Sequence, residues 1–235
     1  MILTFRILLL LAVTASAAPA ASVDVATSTE AAHDIAISTN PAVAFWSQAL
    51  PIFAEKDKNG RPVPGHRSEV RSRWTRKNLY FLFICPYQEL FLKPNPRTAT
   101  ETNELWNWDV AEVFIGSDFQ NIRRYKEFEI SPQGEWIDLD IDLTKPHHEE
   151  GWIWNSGFQV ASRIDQKRKI WYGAMKIPWA ALGEPSPAPG KRFRVNFFRS
   201  QGALPDRKDI AWQPTMSDTF HVPERFGLLR LAQHQ

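Results

Sequence analysis

The residues best placed to do chemistry are carboxylates and indoles. The stretch YKEFEISPQGEWIDLDID carries Glu127, Glu129, Asp138, Asp140 and Asp142 at alternating positions. If Gln133-Gly134 closes a two-residue hairpin turn, Phe128 faces Leu139 and Ile130 faces Ile137, giving one apolar face. The other face then sets Glu129 opposite Asp138 and Glu127 opposite Asp140. Like charges directly opposed destabilise a sheet, so a bound cation, nearby basic groups or solvation must compensate. Arg192, Arg194 and Asn196, alternating along another strand-like run, are candidate counter-groups. Carboxylates also accept hydrogen bonds from sugar hydroxyls, and oxygen ligands suit Ca²⁺. Asp138 and Asp140 are the calcium candidates, although their spacing matches no EF-hand loop. A solvated acidic face balanced by arginines is the competing reading, of equal weight.

Other reactive groups point to weaker alternatives. His147-His148-Glu149-Glu150 is a compact set of metal-ligating types, but it lies between Pro146 and Gly151, where a solvated loop is the better reading. Asp109, Glu112, Glu127 and Glu129 supply carboxylates for a glycoside hydrolase, yet nothing in the spacing fixes a pair across a cleft. Neither G-x-S-x-G nor H-E-x-x-H occurs. Met175 and Met216 are candidate axial ligands for a b-type haem, whereas C-x-x-C-H, needed for covalent haem, is absent. The lone Cys85, within LYFLFIC, reads as a small buried hydrophobe.

These residues must be positioned by strands. Residues 78–87, 110–115, 158–164, 169–177, 192–198 and 226–231 are short, rich in β-branched and aromatic types, and bounded by turn residues. Thr75-Arg76-Lys77-Asn78 and Asp165-Gln166-Lys167-Arg168 are turns between such runs. Pro178 to Gly183 is the one helix-like piece, with Pro at a tolerated first-turn position and Gly as terminator. The pattern predicts an all-β chain, an antiparallel β-sandwich of jelly-roll or immunoglobulin-like type with one short helical turn.

Composition sets the class. The chain has 235 residues, a formal charge of +2, 43% apolar and 23% charged residues, and ten Trp against four Tyr. That length holds one domain with a sizeable core. Near-neutral charge argues against a nucleic-acid partner, and a single Cys excludes a disulfide framework. MILTFRILLLL followed by AVTASAAPA reads as a signal peptide over residues 1–17, cleaved after Ala15-Ser16-Ala17. The apolar run is short for a membrane span, so no membrane association is expected after cleavage. Residues 18–40 read as a loose arm and 41–235 as the domain, exported to the periplasm or outside the cell.

Three stretches carry a resemblance: VRSRWTRKNLYFLF, WNWDVAEVFI and IAWQPTMSDTFHVPERFGLLRL, with KIPWAAL between the last two. In this order they resemble the family 9 carbohydrate-binding modules and their bacterial relatives, which carry W-x-x-D-x-V/A-E-V/I-F-I and close on P-x-x-FG-x-L-x-L. The resemblance covers residues 70–231. It implies a β-sandwich that binds mono- or oligosaccharide without chemistry of its own, requires no cofactor although calcium is possible, and accompanies polysaccharide-degrading enzymes. Two aromatic side chains clamp the sugar in such modules. Trp106 falls on the first position, and Phe220 lies nearest the second, where those modules carry Trp. Glu112 matches the acidic position that holds hydroxyls, and Glu129 stands where some modules present an arginine.

The physical character of these residues agrees with that implication. An aromatic platform buries the C–H face of a pyranose while fixed polar groups bond its rim. Asp109 is then a structural or polar contributor. Trp212 is either a pocket wall or a packed anchor. Trp108 reads as a roof over the core, and Trp74, Trp136, Trp171 and Trp179 as packing. A haem-binding electron-transfer domain and a glycoside hydrolase are the alternatives, and a module whose sugar site has decayed is a third.

Overall fold

The computed structural model describes residues 24–145, 154–185 and 187–233. The signal-peptide reading and His147-His148-Glu149-Glu150 lie outside these residues. Among them run twelve strands: β1 (Val25–Glu30), β2 (Pro51–Ala54), β3 (Ser68–Trp74), β4 (Asn78–Pro86), β5 (Val110–Gly116), β6 (Arg124–Ile130), β7 (Trp136–Asp142), β8 (Gln159–Asp165), β9 (Ile170–Pro178), β10 (Arg192–Gln201), β11 (Lys208–Ala211) and β12 (Gly227–Ala232). One short helix, α1 (Ala44–Ser47), precedes β2. The chain is all-β, as its alternation predicts.

The strands form one sheet in the order β7-β6-β5-β10-β12-β1-β3-β4-β9-β8, with β11 added to β10 and β2 to β3. It is a large mixed sheet, nearly barrel-shaped, and it is not divided into the separate antiparallel layers expected of a sandwich. Its two halves curl over a common core. Val70, Leu79, Phe81, Phe83, Trp171 and Met175 meet Val113, Phe128, Ile130, Val195 and Phe197 there. Phe197 takes the edges of Phe81 and Phe83 at 5.5 and 6.3 Å. The outermost strands approach each other as well: Ser162 on β8 donates to the Pro132 carbonyl in the β6–β7 loop at 2.7 Å.

Parallel pairing enters through β1, which lies between β12 and β3 and runs parallel to both. The stretch expected to be a loose arm therefore contains a central strand. Its polar sequence VATSTE buries Ala26 and Ser28, and Ser28 accepts a hydrogen bond from the buried Ser72 at 2.8 Å. Just beyond it, Asp34 accepts from Thr75, Asn78 and Tyr80 at 2.6–2.9 Å, tying the arm to the β3–β4 turn. A small polar strand is invisible to hydrophobic periodicity but can fill a slot between two others. The expected helical turn is a 3-10 turn at Trp179–Leu182, ended by Gly183 in the left-handed region at φ 65°.

The β6–β7 hairpin differs from expectation by one residue. Its loop is Pro132-Gln133-Gly134, closed by Ser131 N–H to the Glu135 carbonyl at 2.9 Å, with Gly134 at φ 89°. A three-residue loop with Gly in the left-handed position is the next commonest hairpin after the two-residue form. The register becomes Glu127 opposite Leu139, Glu129 opposite Ile137 and Phe128 opposite Asp138. A one-residue slip exchanges the faces of a strand. Here apolar matching could not fix the register, because both faces of this hairpin are covered: Phe128 and Ile130 enter the main core, while Ile137, Leu139 and Ile141 join a second cluster.

Candidate functional site

The second cluster lines one face of β5, β6, β7 and β10. Alternation along each strand brings Val110, Glu112 and Phe114, then Tyr125, Glu127 and Glu129, then Ile137, Leu139 and Ile141, and finally Phe198 and Ser200 to that face. Three loops rise around it. The first is a 3-10 turn at Leu105–Asn107, entered through Glu104 at φ 58°. Leu105 is fully buried beneath this turn and leaves the neighbouring Trp106 half-buried. The second brings Arg207, and the third carries Asp218, Thr219, Phe220 and His221. Together they enclose a pocket of about 270 Å³.

Trp106 and Phe220 both line this pocket. Phe220 lies flat on Phe198, ring centroids 4.2 Å apart and planes within 9°, which fixes the ring and leaves its far side to the cavity. Arg207 donates to the Trp106 carbonyl and pairs with Asp209 at 3.3 Å, so one guanidinium braces two walls. The pocket thus joins half-buried aromatic rings to polar groups converging from β5, β6 and β11.

Its floor is acidic. Glu112 and Glu129 are direct cross-strand partners on β5 and β6, and Glu127 follows on the same face. All three are buried, and one oxygen of each lies within 4.8 Å of the others. Burial and the neighbouring Glu129 charge push the Glu112 carboxyl well above its ordinary value. Glu129 is raised in the same way by burial and by Glu127. Burial also drives Glu127 up, to about 8. The opposed like charges expected of the hairpin do occur, but across β5–β6. Glu112 and Glu127 line the cavity, and Glu129 lies beneath it.

Other expected site residues lie elsewhere. Asp109 is buried and accepts hydrogen bonds from Phe91 N–H at 3.0 Å, Gln201 Nε2 at 2.8 Å and Gly202 N–H at 2.5 Å, so it pins two loops. Trp212 packs on Phe197 at 5.6 Å and against Gly227, where an added Cβ would stand only 2.5 Å from the indole. It is an anchor away from the pocket. Of the calcium candidates, Asp140 pairs with Lys126 at 2.5 Å, while Asp138 accepts from Ser156 N–H at 2.5 Å through Oδ2 and keeps a buried, unpartnered Oδ1. The expected counter-groups Arg194 and Asn196 share this sheet face, with Arg194 donating to the Ile122 carbonyl and Asn196 to that of Gln213. Met175 is buried in the core and Met216 is 56% exposed on a loop.

Glu127, Arg207 and His221 are among the pocket residues that sequence reasoning missed as site members. Glu127 was assigned to the other carboxylate pairing, and Arg207 and His221 lie in loops without periodicity. His221 meets the Tyr125 hydroxyl at 2.6 Å through Nδ1, with Nε2 4.0 Å from Glu127 Oε2. The placing of HVPERFG directly after Phe220 was the one available signal for it.

The family model described as "Carbohydrate family 9 binding domain-like" matches residues 42–234. The chain belongs to this family. Its members are non-catalytic carbohydrate-binding modules. An "Extracellular protein" of Arthroderma benhamiae is 24% identical over 194 residues, covering 77% of this chain and 84% of the relative. A family 9 module from Caldicellulosiruptor kristjanssonii in complex with cellotriose superposes with a TM-score of 0.65 at 11% identity, over 90% of this chain and 95% of the other. The same organism's family 9 module in complex with glucose gives 0.62 at 12% identity, over 89% and 97%. At these identities the shared feature is the fold. The match starts beyond β1, so the central parallel strand lies outside the matched residues. Among the described residues no helix is long and apolar enough to cross a membrane.

Proposed function

We propose that this family 9-like module is an exported, non-catalytic protein that binds carbohydrate in the pocket between Trp106 and Phe220, in the setting of polysaccharide breakdown. The observation that carries this reading is the convergence, on one sheet face, of two half-buried aromatic rings with Glu112, Glu127 and Arg207. The rings cover the apolar face of a pyranose, while the charged groups bond its hydroxyls. Asp109 holds the loops that carry the walls, and Glu129 sets the charge below. About 270 Å³ is at the lower end of small-ligand pockets, which typically run ~300–1,000 Å³, and this suits a terminal sugar unit. The relatives crystallised with glucose and cellotriose make those two sugars the first to try.

Hydrolysis is the weaker reading on geometric grounds. Glycosidase carboxylates flank the scissile bond from two sides, whereas these three crowd together on adjacent strands of one floor.

The test is calorimetric titration of the protein with glucose and cellotriose, wild type against Trp106→Ala. Saturable binding that weakens about tenfold or more on loss of the indole supports the site. Equal affinity in a folded Trp106→Ala protein, or no binding at millimolar sugar, rejects it.

A further inference from the structure

We propose that the pocket floor is a divalent-cation site built from the carboxylates of Glu112, Glu127 and Glu129, and that sugar hydroxyls complete the ion's coordination. The second clause rests on the carbohydrate-binding reading above; the first stands on the floor itself. One oxygen from each carboxylate falls within 4.8 Å of the other two. That is about the span of oxygens gathered around a single ion at ~2.3–2.6 Å.

A second observation points to a ligand. Glu129 is completely buried, and neither of its oxygens has a hydrogen-bond partner. Glu112 Oε1 and Glu127 Oε2 are buried and unpartnered in the same way. A buried carboxylate without a donor is among the costliest arrangements in a protein. Without an ion the three carboxyls are held toward their protonated forms by burial and by one another, and a divalent ion would take the place of those protons.

The surrounding groups offset that burial only in part, with Ser200 and the Arg207 charge favouring the Glu112 carboxylate. Arg194 and Asn196 face the same side; Arg194 Nη1 and Nη2 donate to the Ile122 carbonyl while its Nε stays unpartnered, and Asn196 Nδ2 donates to the Gln213 carbonyl. Lys126 is held by Asp140. The Arg207 charge lowers the cost of Glu112 and Glu129, while its donors go to Asp209 and the Trp106 carbonyl. His221 Nε2 stands 4.0 Å from Glu127 Oε2, within ion-pair distance, so Glu127 has a basic neighbour on one side.

An all-carboxylate donor set selects a hard cation of the Ca²⁺, Mg²⁺ or Mn²⁺ class. Three carboxylates fill part of a shell of about six to eight oxygens. Because Glu112 and Glu127 border the cavity, the remaining positions open toward the space between Trp106 and Phe220. Adjacent hydroxyls of a sugar stacked there are suitably placed donors.

The experiment is titration of chelator-treated full chain with CaCl₂, MgCl₂ and MnCl₂, without sugar. The expected result is one ion per chain, bound about tenfold or more weakly by Glu129→Gln and by Glu112→Gln. Asp140→Asn, which alters only the Lys126 pair, should match wild type. Circular dichroism and melting curves establish that each variant is folded. No ion bound by wild type, or equal binding by folded Glu129→Gln, overturns the site. Glucose and cellotriose are then titrated with and without saturating Ca²⁺. Sugar affinity that rises with the ion supports coordination by hydroxyls. Sugar binding that is unchanged by chelator overturns that coordination and leaves the carbohydrate reading standing. Ion binding with no sugar bound under either condition keeps the floor site and overturns the carbohydrate reading.

Discussion

Asp109 and Glu112 stand three residues apart in WNWDVAEVF, and both are buried, yet their surroundings are opposite. Asp109 gathers three donors from two loops and has Arg199 and Arg207 nearby. Burial raises its pKa, and the donors and the two guanidiniums pull it back down. Glu112 faces Glu129 across the ladder, with Glu127 beside it, and leaves an oxygen unpartnered. One carboxylate is therefore part of the scaffold, and the other keeps an oxygen that no group of the chain bonds. A hydrogen-bonded buried charge stabilises the fold; an unpartnered one is a cost retained for function.

If that contrast is right, substitutions at the two sites have opposite effects. The largest change is expected for Asp109→Ala, which orphans the Phe91 and Gly202 amides and Gln201. A loss of ~3 kcal/mol follows from leaving several buried donors unpaired, or a fall in Tm of roughly 6–12 °C for a chain of this size. Differential scanning calorimetry measures it, and a fall of under about 1 kcal/mol would remove the distinction.

Next comes pH. Glu127 is raised from 4.5 to about 8 in the folded protein. A carboxyl whose folded value is raised contributes most below its unfolded value, and that contribution is lost as pH climbs through the folded value. Cation-free protein should therefore lose stability steadily between about pH 4.5 and about pH 8, and Glu127→Gln should flatten the dependence. A Tm that rises over this window would contradict the shared buried charge.

Smaller again is Glu129→Gln without ligand, which should leave stability unchanged or raise it by ~1 kcal/mol at alkaline pH, since it removes an uncompensated buried charge. Chemical denaturation at two pH values checks the sign. The smallest effect on stability belongs to Trp106→Ala. A half-buried ring on a surface turn should cost less than ~1 kcal/mol of folding energy while removing ~2 kcal/mol of sugar binding, as for an aromatic anchor. Parallel melting and calorimetric titration separate the two quantities.

Much of the strand pattern was legible because it rests on local chemistry. The aromatic and β-branched runs at residues 78–87, 110–115 and 169–177 correspond to β4, β5 and β9 within a residue or so of their ends. Trp74, Trp171 and Trp179 are buried as their positions in strand-like runs implied. Trp108 is likewise occupied, stacked on Phe91 at 4.6 Å. β1 was not legible, because VATSTE has no apolar stripe and is held by two neighbours distant in sequence. The hairpin register failed for a related reason, since alternation tells which residues share a face but not which face meets another layer.

The sequence by itself determined the all-β class, the aromatic and β-branched strands such as β4, β5 and β9, and the placing of Trp106 at a loop–strand junction. These follow from short-range spacing of residue types, while the resemblance of three motif stretches pointed to the family. Only the tertiary structure decided that Phe220 joins Trp106 at one pocket, that Trp212 does not, and that three glutamates meet beneath them. Strand order and register set those meetings. Pairing β6 with β5 sets Glu127 and Glu129 on the face of Glu112, and the one-residue shift of the β6–β7 pairing puts Leu139 and Ile137 opposite them in place of Asp140 and Asp138. A change too small to read from composition or periodicity turned a solvated acidic strand into the buried floor of a pocket.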